Sequence, residues 1–289
     1  MKKDNLNNFI TDVLAIEATK AKEAGTIGYM AWMLVQATMP HKKVDGNEFV
    51  RNNGAFSLSI LAPSKIGLPY GTIPRLLMAW LTKEAVLKKS REILLGDSLS
   101  DFMQELGLSP TGGKWGTITR LREQSKRLFS SSVSCSYKDD NYDGERGFRI
   151  SDAYDLWWSP KHADEPLFGS SIRLSENFFN GIITNPIPVD MRVLKHLSRS
   201  PLALDIYCWL TYRFSYLKKP TTILWQVLLA QFGCGYQDNP QGRRDFKKAF
   251  LRELKKIYLV YPDMNIDHSE NWLILNPSNT HIPKLKFYK

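Results

Sequence analysis

The stretch Gln241-Gly242-Arg243-Arg244-Asp245-Phe246-Lys247-Lys248-Ala249-Phe250-Leu251-Arg252-Glu253-Leu254-Lys255-Lys256-Ile257 constrains this chain most. At about 100° per residue, a helix gathers Phe246, Phe250, Leu254 and Ile257 on one face. Arg244, Lys248, Arg252 and Lys255 fall on the opposite face, and Arg243 and Lys247 add to the cationic set. Any fold that holds this helix must offer a core to its aromatic side and leave its cationic side outside. A solvated basic face satisfies that demand, and so does a ridge that meets phosphates and base edges.

The whole chain has the same bias. Its formal net charge is +10 and its pI about 9.4, which favours an anionic partner: nucleic acid, an acidic membrane surface or an acidic protein. Of its 289 residues 43% are hydrophobic, enough for real cores, and 24% are charged, the balance of a globular chain. The start, Met1-Lys2-Lys3-Asp4-Asn5, leads into no apolar signal core. The most apolar early run, Ile27 to Met39, is interrupted by Gln36 and Thr38, so it falls short of the roughly 20 apolar residues of a membrane span. Cys135, Cys208 and Cys234 form no Cys-x-x-Cys pair and suit a reducing cytosol. A cytoplasmic location without membrane partners is expected.

Apolar spacing predicts a helix over residues 6–24, a strand over 56–61, and a helix from about 72 to 89. A second helix follows Ser98 or Ser100 as cap, and a third ends near Phe129. Strands at Ser131–Tyr137 and Gly147–Ile150 flank a polar tip. Three helices and a hairpin give the winged-helix order, with this hairpin as the wing. Asn185-Pro186-Ile187-Pro188 reads as a stiff connector between domains. Beyond it the pattern recurs: helices near 190–197 and 201–217, a short strand at Thr221–Ile223, and a helix at 224–232. The basic helix follows, then strands at Leu259–Pro262 and Trp272–Leu275. The expected fold is α+β, mostly helical, with tandem winged-helix domains. Residues 1–55 form an N-terminal helical or extended segment, 56–184 the first winged helix and 185–289 the second.

The first half has its own candidate reading helix, Gly116 to Phe129. Ile118, Leu121, Ser125, Leu128 and Phe129 share one face, and Arg120, Glu123 and Arg127 point away, flanked by Thr119, Gln124 and Lys126. Arginine binds guanine bidentately and glutamine binds adenine, so Arg120, Gln124 and Arg127 are candidate base readers. Arg122 falls near the apolar side. Gly107 to Trp115 hints at a phosphate-binding loop, but the glycine register is off by one and Trp115 stands where Ser or Thr would hold Mg²⁺. A turn before a helix explains it better. The five histidines lie far apart in sequence and seat no metal, so no catalytic residue, metal or cofactor is expected. Trp157, Trp158, Trp209, Trp225 and Trp272 have the chemistry to stack on unpaired bases, although core packing accounts for them more simply.

Further motifs carry a family resemblance. Leu68-Pro69-Tyr70-Gly71-Thr72-Ile73-Pro74-Arg75-Leu76-Leu77, Thr82-Lys83-Glu84-Ala85, Leu95 to Phe102 and Thr111-Gly112-Gly113 come in order. Gln124 with Arg127-Leu128-Phe129, Leu174 to Phe179, Asp205 to Arg213 and Gln231-Phe232-Gly233 follow. Together they resemble the plasmid-encoded RepA replication initiators from about residue 27 to 280. The resemblance implies a non-enzymatic protein that binds repeated double-stranded origin sites and promotes melting of adjacent AT-rich DNA. It also implies recruitment of host replication proteins (initiator and helicase) and a capacity to form homodimers. A winged-helix transcriptional repressor and a DNA-nicking initiator enzyme are the competing expectations.

Overall fold

The computed structural model describes residue 16 and residues 20–96, 98–156, 170–233 and 235–282. The expected helix over 6–24, Trp157, Trp158 and Cys234 lie wholly or largely outside them. The fold is α+β, with nine helices and four small antiparallel sheets among the described residues.

The chain enters through β1 (Ile27–Ala31) and a short α1 (Trp32–Gln36), then the hairpin β2 (Glu48–Asn53) and β3 (Phe56–Leu61). Next come α2 (Thr72–Lys88), β4 (Glu92–Leu94), α3 (Leu99–Glu105) and α4 (Thr117–Phe129). Ser98 caps α3 by accepting the Asp101 backbone N–H at 3.1 Å. Strands β5 (Ser132–Lys138), β6 (Asp143–Arg149), β7 (Ser151–Asp155) and β8 (Ser171–Leu174) follow. After α5 (Glu176–Thr184) come β9 (Pro186–Asp190), α6 (Met191–His196) and α7 (Pro201–Phe214). The chain continues with β10 (Thr221–Leu224), α8 (Trp225–Phe232), α9 (Pro240–Val260), β11 (Ile266–His268) and β12 (Trp272–Leu275).

Two of these runs are built alike. In the first, α2–β4–α3–α4 leads to β7 and β8, and the sheet order is β4-β8-β7. In the second, α7–β10–α8–α9 leads to β11 and β12, with sheet order β10-β12-β11. Each time the last strand lies between the other two. The hairpin expected as the first wing, β5–β6, is not part of this repeat. It joins β2 and β3 in a four-stranded sheet ordered β2-β3-β5-β6, where Leu58 pairs with Cys135 and Val133 with Phe148. The β2–β3 hairpin runs across residue 55, so the boundary expected there falls inside one sheet, which joins residues 48–53 to strands of the next segment.

The expected proline connector is strand β9. It pairs antiparallel with β1, Ile27 opposite Asp190 and Ala31 opposite Pro186. Residues two apart on a strand send their N–H to the same edge. Pro186 and Pro188 therefore lack their donors on the edge away from β1, where no ladder bond is lost. Asp190 has the same parity, and its N–H indeed leaves the ladder to donate to the Tyr207 hydroxyl at 3.0 Å.

One continuous apolar core runs through both halves, from Leu58 and Leu77 through Val189 and Tyr207 to Phe250 and Leu275. At its centre Arg75 on α2 is 2% exposed and bonds both carboxylate oxygens of Asp205 on α7 at 2.7 Å. The remaining guanidinium hydrogens go to the carbonyls of Met39, Pro40 and Gly71. His41 reaches Asp205 at 2.7 Å from the other side.

Candidate nucleic-acid interface

Helix α9 begins at Asn239, whose side chain accepts the Gly242 N–H at 2.7 Å, with Pro240 in the first turn. Phe246, Phe250 and Ile257 are fully buried and Leu254 nearly so. Phe250 meets Trp225 and Phe232 edge-on, ring centres 5.6 and 5.9 Å apart. Arg244, Lys248, Arg252 and Lys255 all lie exposed on the opposite face, as the helical spacing requires.

The cations differ in what holds them. Arg243 is tied to Asp238 at 2.6 Å, while among the described residues Arg244 hydrogen-bonds the neighbouring Gln241 side-chain oxygen, at 2.9 Å. Lys247 is half-buried. Its ammonium donates to the carbonyls of Ser269 and Glu270, each at 2.9 Å, and lies 5.4 Å from the Trp225 ring centre. It pins the β11–β12 turn to the helix rather than facing outward. Glu253 is buried between Arg252 and Lys256, at 2.9 and 2.7 Å. Burial pushes its carboxyl up, but the hydrogen bonds from Lys256 and Arg252 outweigh that and hold it below the usual carboxylate range. The fixed Glu253 charge thus orients two cations at the C-terminal half of the ridge.

Helix α4 buries Ile118, Leu121, Ser125, Leu128 and Phe129, as expected. Its polar face is rearranged. Arg120 is exposed, but Gln124 is only 5% exposed and its side-chain oxygen accepts the Tyr70 backbone N–H at 2.9 Å. Arg127 is half-buried, donates to the Leu68 carbonyl at 3.2 Å and lies 5.5 Å from the Tyr70 ring centre. Both hold the loop before α2, Gln124 from a buried position and Arg127 from a half-buried one through a single guanidinium nitrogen. Exposed in their place are Arg122 and Lys126. Helical spacing put Arg122 near the apolar side, but the boundary falls between buried Leu121 and exposed Arg122.

The loop entering α4 is braced. Thr111 and Thr117 exchange backbone-to-hydroxyl hydrogen bonds at 2.9 Å each way, and Thr119 donates to the Gly113 carbonyl at 2.8 Å. At its tip Trp115 is 82% exposed, with the Lys114 ammonium 5.3 Å from its ring centre. Trp209 and Trp225 are core residues, whereas Trp272 on β12 is 40% exposed. Among the described residues no group of three His, Cys, Asp or Glu side chains gathers as a metal site, and no helix is long and apolar enough to cross a membrane.

Fold and surface together define a class of α+β protein: two like-built units on one core, each exposing a basic helix. The chain belongs to the plasmid-encoded RepA protein family, whose model matches residues 68–226, more than half its length. The match ends before α9. The fold is similar to that of domains 2 and 3 of RctB. A selenomethionine derivative of those domains superposes with a TM-score of 0.53 at 11% identity, covering 85% of this chain and 97% of that one. A second structure, of RctB residues 155–483, gives 0.51 at 10% identity, covering 84% and 96%. No curated protein matches the chain in sequence.

Proposed function

We propose that this chain is a plasmid replication initiator. It grips repeated origin sites on double-stranded DNA with two winged-helix units, α4 and α9 acting as the reading helices. The observation that carries this reading is the α9 ridge, Arg244, Lys248, Arg252 and Lys255 outside and Phe246 and Phe250 inside. Family membership supports the replication role. The repeated order of helix, strand, two helices and two strands, last strand central, supports the winged-helix reading.

The work is done by binding rather than catalysis. Gripping neighbouring sites with both units bends the duplex, which costs about 1–6 kcal/mol over 20–30 bp by elastic estimates. Phosphate contacts from the two basic helices offset that cost and favour opening of an adjacent AT-rich stretch. Host replication proteins then load onto the opened region. The chain acts in the cytoplasm and can pair with itself.

Replacing Arg244 and Lys248 by Ala tests this directly. Both are exposed, so folding changes little, by about 0.5 kcal/mol per exposed site. Affinity for DNA from the region flanking its gene falls sharply in a gel-shift assay. With about 6–10 phosphate contacts, wild-type affinity drops about 10³–10⁵-fold between 50 and 200 mM salt. An unchanged affinity in the double variant removes α9 from the interface. Permanganate probing of a supercoiled origin plasmid separates an initiator, which opens DNA, from a repressor, which only binds. Nicked circles formed by the pure protein point instead to a nicking enzyme.

A further inference from the structure

We propose that the Lys114–Trp115 tip is a nucleobase-stacking site, which places an aromatic platform beside the first basic helix. This deepens the DNA-binding reading and rests on it.

Trp115 is 82% exposed, the most exposed of the large apolar side chains among the described residues. An indole left in water forgoes the stabilisation that burial would bring. Flexibility does not explain its position, because the loop that carries it is closed by the Thr111–Thr117 pair and by Gly116 N–H donating to the Gly113 carbonyl at 3.1 Å. The turn depends on glycine on either side of Lys114-Trp115, for steric reasons at Gly116 and for backbone conformation at Gly113. A Cβ on Gly116 would lie 2.2 Å from the Thr111 carbonyl oxygen, and Gly113 has a φ of +86°. The chain therefore carries Trp115 outward on a braced loop.

The chemistry around it selects the ligand. Lys114 lies against the ring, and exposed Arg120, Arg122 and Lys126 follow within the next helix. A flat π surface with one cation against it and further cations along the helix that follows matches a polyanion whose repeating units are flat rings, and base–aromatic stacking tolerates any base. An acidic protein would satisfy the cations but has no systematic use for the exposed ring face. The stacked base comes from one of two sources: a strand already unpaired, or a base step that the indole pries apart in a kinked duplex.

The experiment uses the full chain and three fluorescent oligonucleotides: an intact GC-rich duplex, the same duplex with a short unpaired bubble, and a duplex carrying TA steps. Stacking one base is expected to favour the bubble by about 5- to 140-fold. Trp115→Ala removes that ratio, Trp115→Phe keeps most of it and Trp115→Leu does not. Loss confined to the bubble identifies unpaired bases as the source, and loss on the TA duplex as well identifies an opened base step. Equal bubble-to-duplex ratios in wild type and Trp115→Ala overturn the stacking site. Full rescue by Leu overturns it too, because the contact would then be merely apolar. The Arg244→Ala, Lys248→Ala variant serves as reference: it weakens every oligonucleotide and leaves the ratio in place. A wild-type chain that binds none of the three overturns the DNA-binding reading itself.

Discussion

Gln124 and Arg127 show how a side chain's neighbours decide its work. Both are polar, sit on a helix with exposed cations and have base-reading chemistry. Yet the segment Gly67 to Tyr70 lies across them, and they satisfy its backbone. Gln124→Ala leaves the Tyr70 N–H without its acceptor and costs about 1–3 kcal/mol of stability. Urea unfolding measures that loss, while the base preference of the bound site stays as it is. An altered base preference with unaltered stability would return Gln124 to the interface. Lys247 makes the same point in the second half, since its ammonium is consumed by the β11–β12 turn.

At the scale of elements, the long helices were legible, but α5 was not, and strand partners were hidden. The strand expected at Leu259–Pro262 is instead the end of α9, with its partner strand at β11. A helix satisfies its own backbone, so the apolar spacing of Phe246, Phe250, Leu254 and Ile257 defines both its existence and its buried face. A strand needs a neighbour that local sequence does not name. The hairpin at 132–149 therefore had the pattern of a wing but pairs with β3, and β7–β8 closes on β4 instead. Strand β9 likewise reads as a proline connector because nothing near it in sequence announces β1. A fragment beginning at residue 185 is expected to melt well below the full chain, since it lacks β1 and the Arg75 that partners Asp205. Circular dichroism on the two proteins measures this; equal melting temperatures would make the β1–β9 ladder dispensable.

At the scale of the molecule, the halves are joined by charge as well as by core. Asp205 lies buried between Arg75 and His41. Burial pushes its carboxyl up, but the Arg75 charge and the hydrogen bonds from His41 and Arg75 hold it below the usual value. Burial lowers the His41 pKa, so neutral imidazole donates to Asp205, and burial lowers His281 in the same way. A histidine with a lowered folded value binds its proton more readily when unfolded. Stability therefore falls once the pH drops below about 6.5, and Asp205 adds a further loss at still lower pH. The melting temperature is expected to decline from pH 7.5 to pH 5, less steeply in His41→Gln. Equal slopes in the two proteins would assign the decline to other groups. Asp205→Ala strands the buried Arg75 charge and costs about 3–5 kcal/mol.

The amino-acid order by itself determined the α+β class, the long helices, their apolar faces and the exposed Arg244, Lys248, Arg252 and Lys255, because these follow from spacing within one element. It also carried the motifs of the RepA family. Tertiary structure alone decided which strands pair, that the proline segment is a ladder strand, that Gln124 is buried and Arg127 half-buried against the loop before α2, and that Trp115 stands outward. Each of these depends on a partner far along the chain or on the packing of a neighbouring loop, and short-range periodicity contains neither.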